Sequence, residues 1–370
     1  MSGFLQTFKA WDWGLVSAVA GRMALGLAAL ASVAMSTGEM QLFWRQAVWA
    51  GVGIALMVAA SFVDYRVFFT TSRVLVAGYA MVLALLATLL IAGPTIRGAT
   101  SWFRVGQVIS VEPVEVAKLV TILLLAKYLA SRHEELGRFR HVLISGGYTV
   151  AMALLVLMQP DLGSVLVLVG VWFGMVCIAG LPLRHMITVV LIGAIVAAFG
   201  WGFALHDYQK ARILSYLNPA SDPQGAGYQA RQATIAVGAG GVMGQGAGHG
   251  IQTGYQFLPE AASDFIFASF AEEWGLTGVT VILALFALLF WRVFRMVVAA
   301  PNNFARLVAT GMLTLLVLQA GINIGMNLGV LPITGLTLPL VSYGGSSLVV
   351  LCVSFGLLQG IRARSGHNAP

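Results

Sequence analysis

The sequence predicts an all-α integral membrane protein with about ten transmembrane helices and one long extracytoplasmic loop between the seventh and the eighth. Of the 370 residues, 59% are hydrophobic and 9% are charged, and the mean hydropathy is +0.87. Soluble domains, by contrast, carry about 25% charged residues. Apolar runs of about twenty residues recur along the chain, each long enough to cross a hydrocarbon core roughly 30 Å thick. Residues 1–370 are therefore predicted to form a single polytopic membrane domain.

The ten predicted spans follow from these apolar runs in chain order. The fourth run is short, and polar helix on its cytoplasmic side is expected to extend it. The eighth is interrupted by Glu272 and Glu273, and its length predicts a tilted helix. The spans are Leu15–Met35, Trp44–Phe62, Val74–Ala92, Val116–Ala130, Val142–Met158, Gly163–Gly180, Met186–Leu205, Phe265–Val293, Phe304–Val330 and Leu338–Ile361.

The distribution of basic residues predicts the orientation, because short cytoplasmic loops carry the excess of lysine and arginine. Most of the 21 lysines and arginines lie at one set of helix ends, from Lys9 to Arg364. Both termini are therefore expected in the cytoplasm. The net charge of +7 is spread over these connections rather than gathered in one patch, which excludes nucleic acid as a partner.

The connection over residues 205–263 is predicted to face outside, and its many aromatic and aliphatic residues argue against disorder. We expect it to fold back onto the membrane as short amphipathic or re-entrant pieces. Lys210 and Arg212 suit an anionic ligand such as a pyrophosphate, although each is also typical of a solvated surface. The glycines between Val237 and Gly254 match no nucleotide-binding motif. A flexible or closely packed turn is therefore the simpler interpretation of this stretch.

Acidic residues in apolar surroundings are few, and such residues mark candidate sites. Asp264 opens the eighth span at the outer boundary, where it is either a helix N-cap or a general base with a desolvated carboxylate. Glu115 and Lys118 lie three residues apart on the fourth span and so share a face. They form either a structural ion pair or a polar wall of a substrate cavity.

The other acidic candidates lie at helix ends or within the eighth span. Asp161 follows Pro160 and precedes Gly163, and it is either a turn cap or a site residue. Glu272 and Glu273 point in different directions, so at most one of them shares a face with Asp264. Either can instead cap a kink or pair with a basic group. The sequence contains no Ser-His-Asp arrangement, paired-cysteine site or metal-spaced histidine cluster.

Five blocks of residues, in order, resemble the SEDS family of cell shape, division and sporulation proteins. The resemblance runs nearly end to end, and within the family it is greatest to the RodA branch, which acts in elongation. Residues 206–212 and 218–229 and the early Trp11-Asp12-Trp13 favour that branch. The five blocks are Arg45-Gln46, residues 98–102 with 113–118, Gln159–Gly163, Leu258–Glu260 with 264–268 and 272–273, and Pro332–Ser346.

This resemblance implies a peptidoglycan glycosyltransferase in the bacterial inner (plasma) membrane. Such proteins polymerise lipid II through β-1,4 bonds and release undecaprenyl pyrophosphate. The essential aspartate of the family falls on Asp264, which would take the acceptor proton or hold a divalent cation (Mg or Mn) on the donor. Glu115, Lys118 and Asp161 match the other conserved acidic and basic positions. Arg45, Glu272 and Ser342, in the matching blocks, complete the candidate supporting set together with Lys210 and Arg212.

The resemblance also implies partners and leaves alternative functions. The expected partners are a class B penicillin-binding protein, other proteins of the elongation complex and membrane lipid. The alternatives are a lipid II flippase and a non-enzymatic scaffold for the penicillin-binding protein. Three positions depart from the family pattern: Ala262-Ser263 replace His-Thr, Gln245 replaces a lysine, and Ala233 replaces a serine.

Overall fold

The structure is a computed structural model that describes residues 8–92, 102–105, 109–132, 135, 138–203, 205, 207–218, 222 and 225–365. Residues 98–101 of one SEDS-like block, and parts of 206–225, lie outside this set. In chain order the helices are α1 Trp13–Thr37, α2 Met40–Phe62, α3 Arg66–Thr70, α4 Ser72–Ala92, α5 Pro113–Ser131, α6 Phe139–Met158, α7 Leu162–Ala179, α8 Leu183–Phe203, α9 Asp207–Leu217, α10 Ala226–Ala239, α11 Ile251–Gly254, α12 Ile266–Val298, α13 Asn303–Asn327 and α14 Gly345–Ser365.

The predicted all-α membrane class is confirmed. Among the described residues, nine helices are long and apolar enough to cross a membrane: α1, α2, α4, α6, α7, α8, α12, α13 and α14. The remaining predicted span is the fourth, which corresponds to α5, a helix of 19 residues that carries Glu115, Lys118 and Lys127. These charges explain why it falls outside the apolar set. The loop prediction for residues 205–263 stays a prediction, and α9, α10 and α11 lie within this stretch.

One predicted boundary of the spans is wrong, and one span contains a break. Glu272 and Glu273, which interrupt the apolar run of the eighth span, lie within α12, and the backbone departs from helical geometry at Gly275, where φ is +62° and ψ is −164°. The last helix begins at Gly345 rather than Leu338. Pro339 lacks a backbone N–H, and Leu340 has a φ of +65°, so the backbone before Gly345 is not helical. The all-α prediction also missed a short antiparallel pair, β1 Phe103–Val105 with β2 Ile109–Val111, in which Phe103 faces Val111.

The chain divides into two compact units, and the first comprises Met1–Val63, Ala211–Val293 and Leu316–Pro370. Glycine lets α2 and α14 approach closely, because a Cβ on Gly356 would lie 2.3 Å from Met57 O. At one end of this unit, the Asp12 carboxylate caps α1 and pairs with Arg292 and Arg362 at 3.5 and 3.2 Å. Its apolar core combines α1, α12, the second half of α13 and the segment before α14, and contains Leu30, Phe267, Phe270, Phe286, Ala320 and Val341.

The second unit comprises Asp64–Lys210 and Phe294–Leu315, and it contains α4 to α8. Glycine again permits close packing, since a Cβ on Gly174 would lie 2.8 Å from Thr314 Oγ1. Buried polar side chains bind its helices to one another. Gln159 Nε2 donates to Leu86 O at 2.9 Å, and Tyr79 Oη donates to Tyr148 O at 2.7 Å.

Candidate functional site

Asp264 lies just before α12 and is half-buried. The helix begins at Ile266, so Asp264 precedes the N-cap position. In the first turn, the Ala268 N–H donates to Asn327 Oδ1 at 3.0 Å, so an asparagine of α13 performs this capping function. The Asp264 carboxylate therefore remains the candidate general base.

The Arg212 guanidinium reaches the same place as the Asp264 carboxylate. A Cβ added to Gly335 would lie 3.8 Å from Asp264 Oδ2 and 3.9 Å from Arg212 Nη1, so both groups flank one exposed backbone position. Tyr216, one turn after Arg212 on α9, donates its hydroxyl to Val330 O at 2.7 Å. This bond fastens the same face of α9 to the loop that carries Gly335. A carboxylate and a cation thus lie close together beside one exposed glycine.

Ser342 supports this site through its buried hydroxyl. Its Oγ donates to Ser263 O at 2.6 Å and accepts from Leu338 N at 2.8 Å. The bond therefore connects the residue before the aspartate with the segment that precedes α14. The contacts give Ser342 a positioning role, because its hydroxyl binds backbone groups on both sides.

Gln46 of α2 extends the same network and was missed by sequence reasoning. It is buried, its Nε2 donates to Ser342 O at 3.1 Å, and its Oε1 accepts from Gly344 N at 3.2 Å. A buried amide in an apolar span was the available signal, because polar side chains in membranes are usually bound to neighbouring helices. The adjacent Arg45 is half-buried, and its proposed role stays a prediction.

Glu272 is fully buried and caps α11. Its Oε1 accepts from Gln252 N at 2.7 Å, and its Oε2 accepts from Thr253 N at 3.2 Å and Thr253 Oγ1 at 3.0 Å. These are first-turn amides, which favour an anion at this end of a helix. Glu272 therefore holds the loop before α12 in place. Glu273 is buried beside it, and because adjacent helix residues diverge, it lies on a different face.

The glycine-rich loop between α10 and α11 packs against the break in α12. In an uninterrupted helix, Leu276 N and Thr277 N would bond to the carbonyls four residues before them. Here the two N–H groups donate instead to Gly241 O at 2.9 Å and Val242 O at 3.1 Å. The loop therefore replaces the acceptors that the break at Gly275 removes.

The loop also supplies donors to the carbonyls that the break leaves free. Glu272 O accepts from Gln245 N, and Glu273 O accepts from Gly246 N, both at 3.0 Å. These loop amides are consequently engaged by the helix. In this structure the glycine-rich stretch is thus packed against α12.

Glu115, Lys118 and Asp161 form a polar cluster within the second unit. Lys118 Nζ lies 2.8 Å from Glu115 Oε1, and both side chains are buried. Asp161 Oδ1 accepts from Ser164 N at 3.0 Å and caps α7. Asp161 and Glu112 lie near enough to Lys118 to interact with its charge. The cluster therefore contains a bound ion pair and a helix cap, and any contact with substrate stays a prediction.

Lys210 and the expected cation complete the predicted set. Lys210 is half-buried and precedes Arg212 by two residues on α9, so the two side chains project in different directions. In the described part of the chain, no three histidine, cysteine, aspartate or glutamate residues are grouped as metal ligands. Magnesium, however, is often held by one or two carboxylates together with substrate phosphates. Asp264 suits that arrangement, and the cation stays a prediction.

The chain is similar to known proteins over most of its length. Residues 13–367 match the model of a family of cell cycle proteins that comprises FtsW, RodA and SpoVE. The chain is 38% identical to stage V sporulation protein E of Bacillus subtilis over 326 residues, which are 87% of each chain. It is also 38% identical to peptidoglycan glycosyltransferase MrdB of Escherichia coli over 312 residues, covering 84% of this chain and 82% of MrdB.

Two solved structures are similar over almost the whole chain. One is a chain of a peptidoglycan synthase complex whose description concerns the coordination of polymerization and crosslinking. It has a TM-score of 0.82 and 35% identity, covering 96% of this chain and 98% of the other. The second is the rod shape determining protein RodA of Thermus thermophilus, with a TM-score of 0.71 and 32% identity, covering 95% and 96%.

Proposed function

The chain belongs to the FtsW, RodA and SpoVE family of cell cycle proteins, the SEDS family, and on this basis we propose that it polymerises lipid II during cell elongation. The proposed activity is that of a peptidoglycan glycosyltransferase, the name carried by MrdB of Escherichia coli and by FtsW relatives. One observation carries the proposal: the Asp264 carboxylate and the Arg212 guanidinium converge on Gly335. By the resemblance, Asp264 also falls on the essential aspartate of the family.

The proposed reaction transfers a growing glycan between lipid carriers. The acceptor hydroxyl attacks the sugar carbon that carries the pyrophosphate, and a β-1,4 C–O bond forms. The bond from that carbon to the pyrophosphate oxygen breaks, and undecaprenyl pyrophosphate leaves with the electron pair. Asp264 accepts the hydroxyl proton. Arg212 binds the pyrophosphate and offsets its charge.

A divalent cation would fit the same arrangement. In this alternative role, Asp264 would hold Mg or Mn on the donor pyrophosphate, and the ion would supply further positive charge. Arg212 would then share the pyrophosphate with the metal. Lys210, Arg45 and Asp161 are proposed as further substrate contacts, whereas Ser342 and Glu272 hold the backbone around the site.

The proposed location is the outer face of the bacterial inner membrane, with both termini in the cytoplasm. This orientation follows from the basic residues of the short connections. The proposed partner is a class B penicillin-binding protein, whose transpeptidase would cross-link the new strand. The similarity to a chain of a peptidoglycan synthase complex supports this partner.

Transport of the lipid-linked precursor is the second candidate function. The buried Glu115–Lys118 pair favours it, because a flippase needs polar groups inside the bilayer. That pair, however, is already neutralised at 2.8 Å, as a structural ion pair would be. A non-enzymatic scaffold would not require the Asp264 carboxylate and the Arg212 guanidinium to lie close together.

Polymerisation of lipid II in detergent, with the penicillin-binding protein added, tests the proposal. Asp264→Asn keeps the size of the side chain and removes its charge and basicity. We expect wild type to form glycan strands and Asp264→Asn to form none at equal folded concentration and partner binding. The matched control Asp207→Asn removes an exposed carboxylate of α9 and should retain activity. Equal strand formation by Asp264→Asn and wild type would refute the assignment.

A further inference from the structure

Three consecutive backbone carbonyls, those of Ala262, Ser263 and Asp264, are each bound by the C-terminal part of the chain. Tyr343 N donates to Ala262 O at 2.8 Å, and Ser342 Oγ donates to Ser263 O at 2.6 Å. The turn is therefore fixed at each residue up to the aspartate.

Two asparagines of α13 bind the third carbonyl. Asn323 Nδ2 donates to Asp264 O at 2.9 Å, and Asn327 Nδ2 donates to the same oxygen at 3.1 Å. Both side chains are fully buried. They lie four residues apart and so share one face of the helix. Asn327 also accepts from Ala268 N at 3.0 Å, so it holds both the aspartate and the first turn of α12.

Asn323 additionally connects the two borders of the candidate site. Its Nδ2 donates to Leu336 O at 2.7 Å as well as to the carbonyl of Asp264. Leu336 follows Gly335, which is the position between the Asp264 carboxylate and the Arg212 guanidinium. One amide group therefore connects the backbone of the aspartate with the backbone next to Gly335.

We propose that Asn323 and Asn327 are positioning residues that aim the Asp264 carboxylate at its substrate. The inference rests on the proposed function, since it concerns the geometry of the same site. The amides do not contact the reacting atoms and act through the aspartate. A displacement of about 1 Å in a catalytic group can lower a rate about 100-fold, so loss of the amide bonds should act mainly on kcat.

Gln319 provides a matched control on the same helix. It lies one turn before Asn323 and is equally buried, yet neither its Nε2 nor its Oε1 has a hydrogen-bond partner within the described structure. Gln319→Met replaces a buried amide with an apolar side chain of similar length. Asn323→Leu makes the corresponding change where the amide binds Asp264.

The experiment measures strand formation by the full chain with its penicillin-binding protein, at varied lipid II concentrations. We expect Asn323→Leu to lower kcat about 100-fold with an unchanged KM, and Gln319→Met to retain the wild-type values. A second readout uses Asp264→Cys with Arg212→Cys in a chain whose natural Cys177 and Cys352 are replaced by alanine. A short bis-methanethiosulfonate should bridge this pair several-fold more slowly when Asn323→Leu is added, but not when Gln319→Met is added.

The two readouts separate the possible failures. If Asn323→Leu matches Gln319→Met in both kcat and bridging rate, the positioning role is overturned. If wild type forms no strands although its partner is bound, the proposed function fails. The bridging rates then still decide whether the asparagines set the geometry. If Asn323→Leu does not fold, Asn323→Ser, whose hydroxyl is too short to span both carbonyls, replaces it in the same two measurements.

Discussion

The break in α12 can be tested by adding a single methyl group at Gly275. This residue has φ of +62° and ψ of −164°, a region that is essentially restricted to glycine. A Cβ there would lie 2.3 Å from Gly244 N and 2.6 Å from Val242 O. Both atoms belong to the backbone of the glycine-rich loop, so neither can rotate away. Gly275→Ala must therefore displace the loop from the helix.

The magnitude follows from strain and from lost hydrogen bonds. The backbone conformation alone costs a non-glycine residue about 1–3 kcal/mol. Displacing the loop also breaks hydrogen bonds between the backbone of the loop and that of α12. Each buried backbone group left unpaired costs about 1–3 kcal/mol. With one such group unpaired, Gly275→Ala should lower the free energy of unfolding by about 2–6 kcal/mol. This is a large part of the stability of a typical protein.

A graded glycine series separates these contributions. A Cβ on Gly238, an exposed residue of α10, would meet no atom within 4 Å, so Gly238→Ala should raise the stability by up to about 1 kcal/mol. Gly241 has equal space but a φ of +51°, so Gly241→Ala should cost about 1 kcal/mol from strain. Unfolding of the purified variants in detergent, followed by temperature and by denaturant, measures the order. Equal stability of Gly275→Ala and Gly238→Ala would refute the reasoning.

Two further predictions concern the charged residues. Arg212→Ala should raise the KM for lipid II at least about tenfold, because it removes charge-assisted hydrogen bonds to the pyrophosphate. Initial rates of strand formation measure this, with exposed Arg231→Ala as control, and an unchanged KM would contradict the assignment. Glu115→Ala should cost about 3–5 kcal/mol of stability, because it removes the hydrogen-bonded partner of the buried Lys118 charge. The double variant with Lys118→Met should recover much of that loss in thermal unfolding; no recovery would contradict the pairing.

The spans were predictable from sequence because the bilayer imposes a length and a composition on each helix. The break at Gly275 was not, since it depends on the distant residues around Gly241 that replace the lost helical bonds. Glu272 and Glu273 drew attention as the charged residues of that span. In the structure, however, Glu272 caps α11. The break in α12 is made by Gly275.

The candidate site was predictable only in part. Asp264 and Arg212 could be chosen as a carboxylate and a cation near the outer boundary, but their convergence depends on Gly335, which is remote in sequence. The spacing of Asn323 and Asn327 on an apolar helix was a usable signal of a hydrogen-bonded site, because amide side chains buried in membranes form hydrogen bonds with neighbouring segments. Their hydrogen-bond acceptor was not predictable, because it is the backbone carbonyl of Asp264. Every residue type has such a carbonyl, so the sequence carries no signal for it.

The departure from the family pattern at Gln245 is explained by the same loop. Gln245 Oε1 accepts from Ile251 N at 3.4 Å, at the start of α11, and its backbone N–H donates to Glu272 O. A lysine has no acceptor and could not make the first of these bonds. In this chain the side chain at position 245 therefore supports the loop, and it adds no positive charge. The cation that meets the Asp264 carboxylate at Gly335 is supplied by α9, so under the proposed function recognition of the pyrophosphate depends on Arg212.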